Sequence, residues 1–172
     1  MSSLFVLGGA RSGKSRYAQT RAETQAKARG LKPIYLATAQ PSDDEMGERI
    51  ARHRAERGPA WRTVEAPIEL PAAIAAEARA DTVVLVDCLT LWTTNLILGE
   101  RSCRVACDDL LHAVAKAAGA VILVANEVGL GIVPDNALAR RFRDEAGLIN
   151  QRVAAAANEV QLVAAGLSLR LK

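Results

Sequence analysis

Aromatic residues are scarce in this sequence, which has two tryptophans, two tyrosines and two phenylalanines among 172 residues. Half of the residues are apolar and many of these are alanine, so we expect an aliphatic core in which helices pack closely. The sequence also lacks a continuous run of basic residues, which argues against a nucleic-acid partner. Its net charge of +3 is mildly basic and suits anionic ligands.

Patterned cysteines and long apolar runs are also missing. The three cysteines, Cys88, Cys103 and Cys107, are an odd number without a regular spacing, which argues against a disulfide framework and for a reducing compartment. No apolar run approaches the ~20 residues of a membrane span, and residues 1–7 lack the basic start of a signal peptide. We therefore expect a cytoplasmic protein without a membrane span, folded as one domain over residues 1–172.

The first thirty residues carry a phosphate-binding pattern in the structural context that it requires. A short apolar run, residues 3–7, leads into G-x-x-x-x-G-K-S, and no proline or glycine follows until Gly30. Strand, glycine loop and helix form a P-loop, in which backbone N–H groups and the helix N-terminus bind phosphates. Lys14 would reach the β- and γ-phosphates, and the Ser15 hydroxyl would ligate Mg²⁺. The predicted nucleotide-binding residues of this loop are Gly8, Gly9, Ala10, Arg11, Ser12, Gly13, Lys14 and Ser15.

Strands and helices alternate along the rest of the sequence. Strands are predicted at 34–38, 61–65, 82–86 and 120–125, and helices at 42–57, 67–79, 88–98, 104–118 and 135–157, the last capped by Asp135. Two further strand-like runs, 160–164 and 167–171, flank Gly166 and predict a hairpin. This order predicts an α/β fold: a P-loop NTPase core with a mostly parallel sheet flanked by helices, and an antiparallel carboxyl-terminal strand.

Polar residues follow several of the predicted strands. They are Thr38-Ala39-Gln40, Asp87 and Asn126-Glu127, and they would meet at the edge of a parallel sheet where ligands bind. Asp87 follows four apolar residues, as does the Mg²⁺-binding acid of P-loop enzymes, although an aspartate here could instead cap the next helix. Glu127 could position a metal-bound water or substrate hydroxyl, or it could cap a loop.

The predicted helix at 42–57 combines a histidine with several arginines. Ser42 and Glu45 form a capping box at its start, and His53 lies among Arg49, Arg52, Arg54 and Arg57. The guanidinium groups would bind phosphates and would depress the pKa of the imidazole, so that one nitrogen stays free as a nucleophile. Position alone also suits a half-buried histidine of an amphipathic helix. His112, without such neighbours, is predicted to be structural.

Seven motifs occur in order along nearly the whole chain: G-G-A-R-S-G-K-S at 8–15, A-T-A-Q at 37–40, D-D-E-M-x-x-R-I-x-x-H at 43–53, W-R-T-V-E at 61–65, D-C-L-T-L-W-T-T-N-L at 87–96, N-E-V-G-L-G-I-V-P-D-N at 126–136 and A-R-R-F-R-D-E-A-G-L-I-N-Q-R at 139–152. With them the sequence resembles the bifunctional adenosylcobinamide kinase/adenosylcobinamide-phosphate guanylyltransferase of cobalamin biosynthesis. The histidine-bearing helix and the segment at 126–136 are the most selective of these motifs. The segment around 96–110 looks shorter than in that family.

The resemblance implies a transferase with two reactions. ATP or GTP phosphorylates the aminopropanol hydroxyl of adenosylcobinamide, and GMP then passes from GTP through a covalent histidine–GMP intermediate to adenosylcobinamide phosphate, giving adenosylcobinamide-GDP and pyrophosphate. His53 is the implied nucleophile, Ser15 and Asp87 are the implied Mg²⁺ ligands, and the implied oligomer is a homotrimer with sites between subunits. Besides the P-loop, the implied nucleotide contacts are Thr38, Ala39, Gln40, Arg54, Ala55, Glu56, Arg57, Glu65 and Asp87.

Two other functions are compatible with a P-loop. A kinase of another small metabolite would use the arginines of 42–57 to clamp phosphates and would form no covalent nucleotide. A regulatory GTPase or ATPase would switch conformation on hydrolysis, but the sequence has no N-K-x-D motif for guanine recognition. Nucleotide turnover without an acceptor would be substantial for the switch and low for a transferase.

Overall fold

The computed structural model describes residues 2–40 and 57–172, which form seven strands and five helices. The strands are β1 (Ser3–Gly8), β2 (Lys32–Ala37), β3 (Arg62–Glu65), β4 (Thr82–Asp87), β5 (Ala120–Asn126), β6 (Glu159–Ala164) and β7 (Leu167–Arg170). The helices are α1 (Lys14–Arg29), α2 (Leu70–Glu77), α3 (Leu89–Leu98), α4 (Cys103–Lys116) and α5 (Ala137–Ala156). The predicted helix at 42–57 lies outside the described residues except for Arg57.

The seven strands form one sheet in the order β3-β2-β4-β5-β1-β6-β7. Neighbouring strands from β3 to β6 pair in parallel, and β7 pairs antiparallel to β6. The predicted α/β fold with a mostly parallel sheet and an antiparallel carboxyl-terminal strand is therefore confirmed. Because β1, β2, β4 and β5 run in the same direction, their carboxyl ends lie at one edge of the sheet, where α/β folds bind ligands.

Helices cover both faces of the sheet. On one face, Ala18 and Ala22 of α1 are fully buried in a cluster that includes Val6 and Leu85 of the central strands. The other helices contribute to the core on the opposite face, where Trp92 of α3 is fully buried. Alanine allows α1 to lie close to the strands, as the alanine-rich composition predicts. This close approach fixes the position of the P-loop, which joins β1 to α1.

The bounds of most elements differ from the predictions by a few residues, and one helix cap differs in identity. α5 begins after Asn136, whose side-chain oxygen accepts hydrogen bonds from the backbone N–H groups of Leu138 at 2.8 Å and Ala139 at 3.1 Å. The prediction that Asp135 caps this helix is therefore wrong. Asparagine and aspartate are almost equally good capping residues, so the sequence alone did not distinguish the two neighbours.

The longest described helix, α5, has 20 residues. Its first half carries arginines and acidic residues in nearly continuous succession. Neither it nor any other helix of the described ranges combines the length and the hydropathy of a membrane span.

Candidate active site

The P-loop has a shape that depends on two of its glycines. Gly13 has a φ of +94°, a left-handed conformation that side chains disfavour. A Cβ at Gly8 would lie 2.4 Å from the backbone oxygen of Val163 and 2.5 Å from Ser12 Oγ. The N–H of Gly166, in the turn between β6 and β7, donates to the backbone oxygen of Ser12 at 2.8 Å. The loop is thus tightly enclosed by its own residues and by the β6–β7 hairpin.

The helix that follows the loop begins at the predicted phosphate site. Gly13 is its N-cap and supplies no side chain to the first-turn N–H groups, so these groups can bind an anion. Lys14 is buried, and its Nζ donates to the backbone oxygen of Gly9 at 3.2 Å. Arg11 lies exposed with a φ of +55°. The strand–loop–helix arrangement predicted for residues 3–29 is confirmed.

Two residues beside Gly8 carry buried polar atoms. Ser12 Oγ faces it within the loop, and Asn126 is its partner in the pairing of β1 with β5. Within the part of the chain that the structure describes, neither Ser12 Oγ nor Asn126 Oδ1 has a hydrogen-bond partner. Since buried polar atoms are normally hydrogen-bonded, these two atoms fit a site that receives a polar ligand or water.

Asp87 ends β4 beside the P-loop helix. Its Oδ2 accepts a hydrogen bond from the Tyr35 hydroxyl at 3.3 Å. Burial, followed by the charge of Asp87, raises the pKa of Tyr35 well above its usual value, so the tyrosine remains a donor at neutral pH. The peptide bond that joins Asp87 to Cys88 is cis. Cys88 is the N-cap of α3 and has no side-chain cap bond among the described residues; capping of α3 by Asp87, the alternative reading, has no support here.

A cleft of about 300 Å³ brings several predicted site residues together. It is lined by Ser15, Arg16, Gln19, Thr20, Tyr35, Arg57, Leu85 and Asp87. The guanidinium carbon of Arg57 lies 3.5 Å from the centroid of the Tyr35 ring, a cation–π contact. Ser15, Arg57 and Asp87 come from three separate segments and meet in this cleft. It therefore combines a hydroxyl, a carboxylate and a guanidinium group beside the phosphate-binding loop.

Sequence reasoning missed four polar residues of the cleft: Arg16, Gln19, Thr20 and Tyr35. A signal was present for the first three, because residues 16, 19 and 20 share one face of α1 directly after the P-loop. Tyr35 looks like an ordinary strand residue. Its contact with Asp87 depends on the register of β2 against β4, in which Tyr35 is opposite Leu85 and Ala37 is opposite Asp87.

The nucleotide contacts predicted at the ends of β2 and β3 lie at the edge of the sheet that carries the P-loop. Thr38 is fully buried; its hydroxyl donates to the backbone oxygen of Cys88 and accepts from the Cys88 N–H, both at 2.8 Å. Ala39 is half-buried and Gln40 is exposed. Glu65 is exposed at the end of β3, opposite Ala37. The Thr38 hydroxyl therefore joins the ends of β2 and β4, and the neighbouring residues are open to a ligand.

The chain at the end of β5, residues 126–129, is hydrogen-bonded to the P-loop. The N–H of Glu127 donates to the backbone oxygen of Gly8 at 3.0 Å, and the N–H of Asn126 donates to Thr90 Oγ1 at 2.6 Å. Glu127 Oε1 accepts from the N–H of Gly129 at 2.5 Å. This geometry favours the loop-capping role for Glu127 over the positioning of a water or substrate.

Four predicted site residues lie outside the described part of the chain. They are His53, Arg54, Ala55 and Glu56. Arg57, the next residue, lines the cleft. The second histidine of the sequence, His112, is exposed on α4.

Comparison with known proteins identifies the family. The family model CobU, described as cobinamide kinase / cobinamide phosphate guanyltransferase, matches residues 4–171. This chain belongs to the CobU family. It is 48% identical over 176 residues to the bifunctional adenosylcobalamin biosynthesis protein CobP of Pseudomonas aeruginosa, with 98% of this chain and 96% of that protein covered. It is 42% identical over 184 residues to the corresponding CobU of Salmonella typhimurium, with 98% and 99% covered.

The family assignment confirms the predicted resemblance, the enzyme class and the function in cobalamin biosynthesis as a kinase and guanyltransferase.

Similarity to solved structures shows the fold alone. The flagellar accessory protein FlaH from Methanocaldococcus jannaschii has a TM-score of 0.59 at 14% identity, with 99% of this chain and 78% of that chain covered. The KaiC-like protein PH0186 from Pyrococcus horikoshii has a TM-score of 0.54 at 12% identity, with 94% and 70% covered.

Proposed function

We propose that this CobU-family chain phosphorylates adenosylcobinamide and then transfers a guanylyl group to adenosylcobinamide phosphate, and that both reactions use the P-loop. The observation that carries the proposal is the cleft in which Ser15, Arg57 and Asp87 meet beside the P-loop. ATP or GTP serves the first reaction and GTP the second. The nucleotide contacts proposed are Gly8, Gly9, Ala10, Arg11, Ser12, Gly13, Lys14, Ser15, Thr38, Ala39, Gln40, Arg54, Ala55, Glu56, Arg57, Glu65 and Asp87.

In the kinase reaction, the aminopropanol oxygen attacks the γ-phosphorus. A new P–O bond forms, the bond from that phosphorus to the β–γ bridging oxygen breaks, the hydroxyl proton passes to solvent water, and the nucleoside diphosphate departs. Lys14 and the N–H groups at the start of α1 stabilise the negative charge on the phosphates. The enclosed loop holds these donors in place before the substrate arrives, which lowers the cost of arranging them.

Mg²⁺ fits the donor set of the cleft. Ser15 and Asp87 offer a hydroxyl and a carboxylate, which are oxygen ligands of the kind that Mg²⁺ prefers, and the bond from Tyr35 orients one carboxylate oxygen. The described residues contain no cluster of three or more histidines, cysteines, aspartates or glutamates able to hold a metal. A site with few protein ligands suits an ion that arrives with the triphosphate, and its charge would offset that of the phosphates.

In the guanylyl transfer, we propose that His53 is the nucleophile. An imidazole nitrogen forms a bond to the α-phosphorus of GTP, the bond to the β-phosphate breaks, and pyrophosphate leaves. A phosphate oxygen of adenosylcobinamide phosphate then attacks the same phosphorus, and the N–P bond breaks to give adenosylcobinamide-GDP. Covalent catalysis of this kind divides one difficult transfer into two displacements.

We also propose that the enzyme works in the cytoplasm as a homotrimer with sites shared between subunits. Exposed apolar side chains on β7, Leu167 and Leu169, are compatible with contacts to other subunits.

The decisive experiment follows GTP labelled at the α-phosphate. The protein is incubated with Mg²⁺ and the label, denatured, and analysed for radioactivity on the chain. We expect an acid-labile, base-stable adduct that is absent from His53→Ala and retained by the matched control His112→Ala. GTP labelled at the γ-phosphate should leave no label on the chain.

The absence of an α-labelled adduct from the wild-type protein would overturn the histidine mechanism. The kinase reaction would still stand in that case, with the arginines of 42–57 as phosphate clamps. An adduct that survives in His53→Ala but disappears in His112→Ala would assign the nucleophile to the other histidine.

A further inference from the structure

An apolar groove of about 370 Å³ lies between α3 and α5. Ile97 and Leu98 of α3 line one wall together with the methyl-bearing side chain of Thr94. Leu138, Ala139 and Phe142 of α5 line the other wall. The cleft at Ser15 and Asp87 is lined by different residues throughout, so the groove is a second concave site with a contrasting, apolar character.

Hydrogen bonds hold α3 against the edge of the sheet that carries the P-loop. At the start of the helix, Thr90 Oγ1 accepts from the N–H of Asn126, the last residue of β5. Further along, Asn95 Nδ2 donates at 2.8 Å to the backbone oxygen of Thr38, which follows β2. The wall of the groove formed by α3 therefore lies at the same edge as the phosphate site.

The loop from Glu127 to Asn136 connects this edge directly to the groove. It begins at Glu127, whose N–H donates to the oxygen of Gly8, and it ends at Asn136, which lines the groove. Ile132, between these ends, is 96% exposed. Of the ten large exposed apolar residues in the described ranges, five belong to this loop or to the groove: Leu98, Leu130, Ile132, Val133 and Leu138. Such a concentration of exposed apolar surface marks a binding site.

We propose that this groove and the loop 127–136 bind the corrin ring of adenosylcobinamide. The inference rests on the proposed function, because it takes the acceptor of that reaction as the occupant. A corrin is a broad macrocycle with methyl groups and amide side chains on its periphery. Aliphatic walls would take the methyl-bearing edge. Asn136 uses its side-chain oxygen to cap α5, which leaves its NH₂ group to donate to a corrin amide.

This placement explains how a substrate much larger than its reacting group reaches the P-loop. The hydroxyl to be phosphorylated lies at the end of an aminopropanol arm that extends from the ring. With the ring in the groove, the arm would follow the edge of the sheet past Asn95 and Asn126 towards the phosphates. Binding energy from the distant ring would then position the hydroxyl for transfer.

The test compares two leucines of the same helix by equilibrium dialysis of the full chain against adenosylcobinamide, quantified by its visible absorbance. Leu138 lines the groove and is 49% exposed, whereas Leu148 lies outside it and is 55% exposed. We expect Leu138→Asp and Ile132→Asp to weaken corrinoid binding about tenfold or more, because a carboxylate replaces apolar contact area. Leu148→Asp should bind as the wild type does.

Two further measurements are made on the same variants. The first is labelling of the chain by GTP labelled at the α-phosphate, without corrinoid, and the second is the molecular mass by light scattering. Weaker corrinoid binding at unchanged mass and unchanged labelling supports the proposal. If the wild type forms no adduct but Leu138→Asp still binds corrinoid less tightly at unchanged mass, the histidine mechanism fails and the corrin site stands. Equal binding by all variants would overturn the site, and weaker binding together with a lower mass would assign the groove to a contact between subunits.

Discussion

Gly8 and Gly9 are adjacent in the P-loop, but an added methyl group would meet different surroundings at each. At Gly8 the new Cβ would lie 2.4 Å from a backbone oxygen of β6, whereas at Gly9 no atom lies within 4 Å. Because a backbone atom cannot move aside as a side chain can, Gly8→Ala should destabilise the protein by about 1–3 kcal/mol. Gly9→Ala should stay within about 0.5 kcal/mol of the wild type.

Urea denaturation of the two variants measures this difference directly. Equal stability of Gly8→Ala and Gly9→Ala would mean that β6 moves away from the loop without cost. The close contact described for Val163 would then not constrain the loop.

Local sequence patterns indicate where several single residues lie in the fold. Gly13, Ser15 and Asp87 stand in motifs whose spacing implies their position, and the structure places Ser15 and Asp87 in one cleft. Tyr35 was missed because its bond to Asp87 joins neighbouring strands. The sequence of one strand does not predict which strand it pairs with or in which register. Local sequence therefore indicates the positions of the P-loop and of Asp87, but not the contact that orients the Asp87 carboxylate.

At the scale of elements, one ion pair fastens α1 to β6. Arg21 donates through both terminal nitrogens to the two carboxylate oxygens of Glu159, each at 2.8 Å. This bidentate bond, the largest of several causes, lowers the pKa of Glu159 to about 2. Both side chains are mostly shielded from solvent, so the pair contributes more than a freely exposed one would.

The pKa of Glu159 is lower in the folded chain than in the unfolded chain, so its contribution is fully present above the unfolded pKa, near 4.5, and is lost as the pH falls towards 2. Glu159→Gln should therefore reduce the free energy of unfolding by about 1–3 kcal/mol at pH 7, and this deficit should shrink as the pH falls below 4.5. Urea denaturation at several pH values measures it. A deficit that does not change with pH would contradict an ionic origin.

A matched control is the more exposed pair of Lys32 and Asp81. Asp81→Asn should lower stability much less than Glu159→Gln does at neutral pH, because solvent screens the exposed pair.

The elements themselves were predicted more reliably than their arrangement. Short apolar runs separated by turn residues predict each described strand, including the two strands of the β6–β7 hairpin. The strand order could not be predicted, since it depends on contacts between segments far apart in sequence. The groove between α3 and α5 was missed for a related reason: Leu98 and Leu138 look like core residues in the sequence, and the fold leaves both exposed.

At the scale of the whole molecule, one continuous sheet carries every described strand. We propose that residues 1–172 fold as a single domain, and we expect one cooperative transition in calorimetry. The measurement uses the chain without nucleotide, because a ligand bound to the folded state would shift the transition. Two resolved transitions would contradict a single domain.

The position of β1 has a consequence for the order of events during synthesis. β1 pairs with β5 and β6, which are translated more than a hundred residues later. The nascent P-loop strand must therefore wait unpaired, and its apolar residues need protection until both partners have emerged. Demand for a chaperone, rather than stability of the finished enzyme, should thus limit how much protein a cell obtains when translation is slow.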